Sequence, residues 1–248
     1  MPSRWIITLS GPVDPDIPLN APHAVISRWL DDDHKAAVKG YAISPPRSSG
    51  SITVLDVRLL DDTLVDRLMA NAGVGEQVRL GRHWFTVATA PHLDRARPWS
   101  ELCAAVGRRA WEVKFLSPTT FRRGSRTSPL PAPDSVLTSL ESRWQLLHPR
   151  TAPAMDRDAQ QSLWVSDIQG QSQVLPLRDT VVSAFVGRAR YVCDGTPDQA
   201  RAVAALLGFA EFAGIGSHTA FGLGTVAVTS TWQPPTRADV ARELRVGT

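Results

Sequence analysis

One order of strand and helix patterns occurs twice along the chain, and this repeat limits the folds open to it. The strand patterns, which alternate apolar and polar residues most clearly at 52–60 and 111–115, fall in two sets: 5–9, 41–44, 52–60 and 84–90, then 111–115, 163–168, 181–192 and 225–229. Apolar residues at helical spacing predict four helices, which begin near His23 and Leu64 in the first set and near Asp134 and Thr196 in the second. Each set therefore has the order β-α-β-β-α-β.

Two such units are typical of an α+β protein with two tandem ferredoxin-like (RRM-like) domains, each an antiparallel sheet backed by helices. We expect an N-terminal domain over residues 1–109 and a C-terminal domain over residues 110–248. A single elaborated α+β domain stays open as an alternative, because the repeat lies in the pattern alone. Residues 91–109, which are rich in Pro and Arg, form the predicted connector, and residues 148–161 form a predicted flexible insertion.

Local sequence signals predict the start of one helix and three residues of the core. Thr196 and Gln199 have the spacing of a capping box, and Pro197 between them suits the first turn of a helix, so a helix is expected to begin there. Three tryptophans alternate with apolar partners and are predicted to lie in the core: Trp84, Trp111 and Trp144.

Composition indicates a globular cytoplasmic protein with no membrane contact. The 248 residues are 43% hydrophobic and 21% charged, and no stretch approaches the ~20 apolar residues that a membrane-spanning helix needs. The N-terminus lacks the apolar run of a signal peptide. Cys103 and Cys193 are too few for a disulfide framework or a zinc site, so we expect no metal and no cofactor.

The basic residues are unusual in kind rather than in number. The net charge is only +3, yet three of the 27 basic residues are lysines and the rest are arginines. Arginine suits phosphate recognition and base stacking. GC-rich codon usage would produce the same bias, and composition does not separate the two explanations.

Residues 214–224, here called the glycine loop, carry the strongest functional signal. Four glycines occur in eleven positions, between a helical pattern and a strand pattern. Glycine accepts positive φ and close backbone approach, so we expect amide N–H groups of this loop to point at an anion. The spacing matches neither the P-loop nor the dinucleotide-binding motif. The loop is therefore expected to bind the backbone of a polyanionic ligand.

Three segments together resemble a known family, the CRISPR-associated endoribonucleases of the RAMP superfamily that process precursor crRNA. They are the glycine loop, residues 116–121 (Leu-Ser-Pro-Thr-Thr-Phe) and residues 34–45, which begin with His34 and include Lys39. The loop has Ser217-His218 where family members often have Arg-Lys. Some members have a catalytic tyrosine on the first helix, where this chain has Ser27.

The resemblance implies a metal-independent endoribonuclease that cleaves CRISPR repeat RNA by attack of a 2′-hydroxyl. His34 is the expected general acid or base, Lys39 the expected cation at the phosphoryl oxygens, and His23 a reserve candidate. The alternative is that these are a surface histidine, a lysine that compensates a helix dipole, and a histidine at a helix start.

The predicted RNA-binding residues lie in two places, a loop after Phe121 and the glycine loop: Arg122, Arg123, Arg126, Gly214, Gly216, Ser217, His218, Gly222 and Gly224. A solvated loop is the alternative for the arginines. The expected partner is CRISPR repeat RNA in precursor crRNA, with other Cas effector subunits as a further option, and the protein is expected to be a monomer or homodimer. A non-catalytic RNA-binding subunit of a CRISPR effector complex is the second reading, and a module that binds a small anion is the third.

Overall fold

The computed structural model describes residues 1–14, 16–32, 38–104, 108–177 and 180–230. The protein has two main antiparallel sheets, one from each half of the chain, and each is backed by helices. This is the tandem ferredoxin-like α+β fold that the repeated pattern predicts. No described helix is both long enough and apolar enough to cross a membrane.

The N-terminal half contains the first sheet, whose strand order is β2-β4-β1-β7, with β3 paired to β4. Its elements are β1 (Ser3–Ser10), α1 (Ala21–Leu30), β2 (Tyr41–Ile43), β3 (Arg47–Ser49), β4 (Ile52–Leu59), α2 (Leu64–Asn71), β5 (Gln77–Leu80), β6 (His83–Thr86), β7 (His92–Ala96) and α3 (Trp99–Cys103). Strands β5 and β6 form a separate hairpin.

The C-terminal half contains the second sheet, with the strand order β11-β12-β8-β13. Its elements are β8 (Ala110–Thr119), β9 (Phe121–Arg123), β10 (Arg126–Ser128), α4 (Pro133–Leu147), α5 (Arg157–Gln161), β11 (Leu163–Leu177), β12 (Thr180–Cys193), α6 (Pro197–Ala213) and β13 (Val226–Thr229). The main strands of the two halves have equivalent orders, since in each the strand that opens the unit lies between the third and the last.

Helix α6 begins where its capping signal predicts. The Thr196 hydroxyl accepts the Gln199 N–H at 3.3 Å, and the Gln199 side chain accepts the Thr196 N–H at 2.8 Å. These two bonds satisfy amides that the first turn of a helix otherwise leaves without a partner. The following residues are buried almost continuously to Ala213, so α6 packs at the centre of the C-terminal half.

Two expectations for the first half are wrong. The strand that completes the first sheet is β7, which pairs with β1 and lies inside the predicted connector 91–109. The pattern at 84–90 instead contributes to the β5–β6 hairpin, and Trp84 on β6 is 65% exposed rather than in the core. Trp111 and Trp144 are buried, as predicted. Strand β7 was missed because its residues are mostly exposed and do not alternate.

The predicted flexible insertion 148–161 is also structured. It contains a 3-10 turn at Pro149–Thr151 and helix α5, and the side chains of Met155 and Ala159 lie in the core of the C-terminal half. The N-terminal half has its own core between its sheet and α1 and α2. The polar tail after Trp232 lies outside the described residues.

Candidate nucleic-acid interface

A cleft of about 790 Å³ opens in the C-terminal half, and Val38 from the N-terminal half also lines it. The β9–β10 hairpin forms one wall, helix α4 another, and the glycine loop a third. Its polar lining residues are Arg122, Arg123, Ser125, Arg126, Thr127, Asp134, Ser135, Thr138, Ser139, Ser142, Arg143, Thr180, Ser217 and His218. Both predicted RNA-binding segments therefore border a single cleft.

The predicted arginine loop is a β-hairpin, which turns at Gly124 with a φ of 63°. Arg123 donates to Asp134 at 3.0 Å and to Ser135 at 2.8 Å, so its guanidinium is held at the start of α4. Arg122 and Arg126 are exposed and, within the described part of the chain, neither has a carboxylate within 4.0 Å. The hairpin therefore presents positive charge to the cleft.

The glycine loop does not direct most of its amides at solvent, contrary to the expectation from its sequence. Ile215 N–H donates to Gly224 O and Ser217 N–H to Thr120 O, each at 2.8 Å, and Gly216 N–H donates to Ser139 Oγ at 3.1 Å. The amides of Gly214 and Gly224 also donate to protein carbonyls. These five N–H groups stabilise the loop itself and are not available to an anion.

Close packing explains why two of the glycines are needed. An added Cβ at Gly216 would lie 2.4 Å from the carbonyl oxygen of Thr120, and one at Gly224 would lie 2.1 Å from that of Ile215. Both residues also have positive φ, 82° and 71°. Any side chain at either position would collide with backbone and be strained, so the glycines let three chain segments meet.

Residues after the loop's first turn extend into the N-terminal half. A 3-10 turn, Thr219–Phe221, inserts Ala220 into the apolar core that α1 and the first sheet form. His23 on α1 is 6% exposed, its Nδ1 lies 2.8 Å from Ala220 O, and its ring stacks on Phe221 with centroids 3.8 Å apart. The glycine loop is therefore a joint between the two halves.

Arg58 makes a second connection at the same joint. Its side chain on β4 is only 2% exposed and donates to Thr225 Oγ1 at 3.1 Å, and the Thr225 hydroxyl donates to Ser44 Oγ at 3.4 Å. Burial lowers the pKa of Arg58; the carboxylate of Asp56 opposes this effect, and the positive charge of Arg4 adds to it. Arg58 thus connects the first sheet to Thr225, the residue that follows the glycine loop.

Arg143 on α4 holds the beginning of the loop. It donates to the carbonyls of Ala213, Gly214 and Gly216, the last two at 3.3 and 3.1 Å. Burial, together with the positive charge of Arg58, lowers the pKa of Arg143 to about 10, so the side chain stays a cation at neutral pH. Its charge faces the carbonyl end of α6, where the helix dipole favours a cation.

His218, a predicted RNA-binding residue, has an uncommon backbone conformation. Its φ is 61° and its ψ is 30°, and it is the one described residue other than glycine with positive φ. Its ring meets the edge of Phe221, with centroids 5.9 Å apart, and lines the cleft beside Ser217. Strained backbone of this kind is concentrated at functional sites.

The three catalytic candidates differ in where they lie. His34 is outside the described residues. Lys39 is 12% exposed at its side chain, and its Nζ lies 2.7 Å from Asp31 Oδ2. His23 is buried in the joint, so its surroundings are those of a packing residue. Ser27 is also buried on α1.

Sequence reasoning missed both arginines of the joint. Arg143 lies four residues after Ser139, at the border between the apolar and polar faces of α4, where an arginine resembles an ordinary solvated side chain. Arg58 alternates with apolar residues along β4, which predicts exposure on a sheet face. Their roles depend on the partner element, and a single sequence does not contain that information.

Two ferredoxin-like halves joined by a glycine loop, with an arginine-rich cleft beside it, define the class of this protein as a tandem ferredoxin-like protein. The family model for the CRISPR-associated endoribonuclease Cas6 matches residues 113–226. Two proteins from strains of Mycobacterium tuberculosis, described as CRISPR-associated endoribonuclease Cas6, are 29% identical over 122 residues. That stretch covers 48% of this chain and 39% of each relative, so less than half of the relatives' length is matched.

Solved structures match over almost the whole chain. A Cas6 product complex has a TM-score of 0.77 at 26% identity, and a Cas6 substrate mimic complex has 0.72 at 28%; each match covers 92% of this chain and 99% of the other. Thermus thermophilus Cas6 has the same fold, with a TM-score of 0.70 at 21% identity over 92% of this chain and 98% of that one. Together these matches show that the chain is similar to Cas6 proteins in sequence over part of its length and in fold over almost all of it.

Proposed function

We propose that the protein is a metal-independent endoribonuclease that cleaves CRISPR repeat RNA in precursor crRNA. The observation that carries this proposal is the cleft, which brings the arginine hairpin, the glycine loop and the chain leaving the His34 segment to one place. Similarity to proteins described as CRISPR-associated endoribonuclease Cas6 supports an RNA-cleaving enzyme. Structural relatives described as product and substrate mimic complexes support RNA as the ligand.

We propose that one half of the protein carries out catalysis and the other binds RNA. Residues 1–109 would be a domain that supplies the reactive groups, and residues 110–248 a domain that binds the RNA backbone. Arg122 and Arg126 have the exposure and the uncompensated charge that phosphate contacts require. Val38, the first described residue after the segment that contains His34, lines the same cleft, which supports a reactive centre at its edge.

In the proposed reaction the 2′-oxygen of the ribose attacks the adjacent phosphorus in line with the leaving 5′-oxygen. The 2′-hydroxyl loses its proton and the 5′-oxygen gains one, which gives a 2′,3′-cyclic phosphate and a 5′-hydroxyl. His34 would carry one of these protons, because the pKa of histidine lies near neutrality. Lys39 would stabilise the negative charge on the phosphoryl oxygens, and to do so its Nζ would exchange Asp31 for phosphate.

The mechanism can be tested with two RNAs. The protein is incubated in EDTA with its own repeat RNA and with a copy that has a single 2′-deoxyribose at the cut. Cleavage of the first RNA alone, with a cyclic phosphate on the upstream product, is the expected result. Equal cleavage of both would refute 2′-hydroxyl attack. Binding without cleavage of either would favour the second candidate, a non-catalytic RNA-binding subunit.

His34→Ala tests the proposed proton carrier. We expect the single-turnover cleavage rate to fall by about 10²–10⁴-fold, the usual contribution of a general acid or base, with RNA affinity nearly unchanged. His92→Ala is the matched control, since His92 is exposed on β7 and does not line the cleft. A His34→Ala rate within a few fold of the parent would assign the proton transfer to another residue.

A further inference from the structure

Arg143 lines the cleft, but its guanidinium is not placed as that of an arginine that contacts RNA. Its guanidinium is turned towards backbone carbonyls rather than the open part of the cleft. In the described part of the chain it has no carboxylate within 4.0 Å, although ion pairs are common among the other arginines. Because its donors are used by the protein, its main contribution lies in the backbone that it holds.

The three carbonyls that accept from Arg143 belong to one turn. Ala213 ends α6, Gly214 follows it at a φ of 71°, and Gly216 has a φ of 82°. Positive φ at two residues rotates successive carbonyls away from helical directions, and the guanidinium fork reaches them together. A guanidinium offers five N–H donors in a fixed plane, whereas an ammonium is a point charge on a flexible stem.

Helix α4 supplies a second bond to the same turn. Ser139, one helical turn before Arg143, accepts the N–H of Gly216 at 3.1 Å. The next residue, Ser217, donates its own N–H to Thr120 O, next to the arginine hairpin. The conformation at Gly216 therefore determines where Ser217 and His218 lie along the cleft.

We propose that Arg143 is a positioning residue, which fixes the first turn of the glycine loop against α4 and so sets Ser217 and His218 on the wall of the RNA cleft. The role of that wall in RNA cleavage rests on the function proposed above. The role of Arg143 in holding the loop does not, and it can be measured on the protein alone. The fork of the guanidinium, rather than its charge, is the property that matters.

Hydrogen exchange measured by mass spectrometry tests the proposal on the RNA-free protein. In Arg143→Lys and Arg143→Met alike, exchange in peptides covering residues 213–225 is expected to rise at least tenfold, while peptides from β1 and β4 exchange as in the parent. Arg201→Lys is the matched control, because Arg201 lies near the opposite end of α6 and donates to the nearby carboxylate of Asp198. Parental exchange in Arg143→Met would overturn the proposal.

The lysine variant separates geometry from charge. If Arg143→Lys kept parental exchange while Arg143→Met did not, charge alone would hold the loop and the proposed fork would be wrong. Should Arg143→Met fail to fold, Ser139→Ala removes the acceptor for Gly216 and is expected to raise exchange in the same peptides, though by less. No increase in Ser139→Ala would then count against the positioning of this turn by α4.

Single-turnover cleavage connects the loop to the reaction. Arg143→Lys is expected to lower the cleavage rate about 10- to 100-fold, as a small misplacement of contacts can do, with RNA affinity reduced less than threefold. A loss confined to affinity would mean that Arg143 acts as a direct RNA contact and would overturn the proposal. If the parent protein itself cleaves no RNA, the proposed function fails, and the exchange measurements still decide the role of Arg143.

Discussion

Replacing Gly216 with alanine would test whether the glycine loop is a packed joint or an exposed phosphate site. The Cβ of Gly216→Ala would lie 2.4 Å from Thr120 O, a backbone atom that cannot move without shifting the link between β8 and β9. The residue would also keep a φ of 82°, which alanine adopts with strain. Gly124→Ala is the matched control, because Gly124 has a φ of 63° and nothing within 4 Å of an added Cβ.

The magnitude follows from these two contributions. A left-handed conformation costs a residue with a side chain about 1–2 kcal/mol, so Gly124→Ala should lower the free energy of unfolding by that amount. Overpacking adds about 1–3 kcal/mol, so Gly216→Ala should lower it by about 2–5 kcal/mol in total. For a chain of this length each kcal/mol lowers the Tm by about 2–4 °C.

Urea unfolding followed by tryptophan fluorescence measures both variants, and RNA affinity is measured well below their transitions. A packed joint predicts that Gly216→Ala is at least 1 kcal/mol less stable than Gly124→Ala. If the two variants were equally stable and Gly216→Ala lost only RNA affinity, the close approach to Thr120 would have no energetic importance. The amide of Gly216 would then have to face the ligand, contrary to its bond with Ser139.

Two further changes address the cleft directly. Reversing Arg122 and Arg126 to glutamate together should weaken RNA binding and reduce the slope of log affinity against log salt by about 1.4–1.8, since each phosphate contact contributes about 0.7–0.9. The same reversal at Arg79 and Arg82, which do not line the cleft, is the control. If the two double variants had the same salt slope, the hairpin would not be part of the RNA interface. His218→Gly should change the free energy of unfolding by no more than about 1 kcal/mol, because glycine accepts the left-handed conformation, while RNA affinity falls. Unchanged affinity in a filter-binding assay would exclude His218 as a contact.

Local signals predicted those parts of the fold whose cause is local. The capping box at Thr196 specifies the start of α6, and the alternation around Trp111 specifies β8, because both depend on neighbours in sequence. Strand β7 lies in the predicted connector, because its exposed residues acquire their structure only by pairing with β1, some 90 residues earlier in the chain. The core position predicted for Trp84 is wrong, because alternation does not tell which face of a strand meets an apolar partner.

The candidate site divides in the same way. Its segments were identified from the glycine spacing and from the arginines after Phe121, and the structure brings both to one cleft. The direction of the loop amides was not predictable, because glycine spacing is compatible with binding an anion and with close packing. The positions of Arg58 and Arg143 under the loop depend on contacts between distant elements, and neither the family motifs nor periodicity contains them.

The insertion of Ala220 into the N-terminal core affects how the protein is made. Domains of a growing chain usually fold in turn, the N-terminal one first. Here the first sheet and α1 leave the ribosome without the turn that fills one side of their core, and that turn follows about 190 residues after α1 ends. We therefore expect the nascent N-terminal half to complete its packing only after most of the polypeptide has been synthesised.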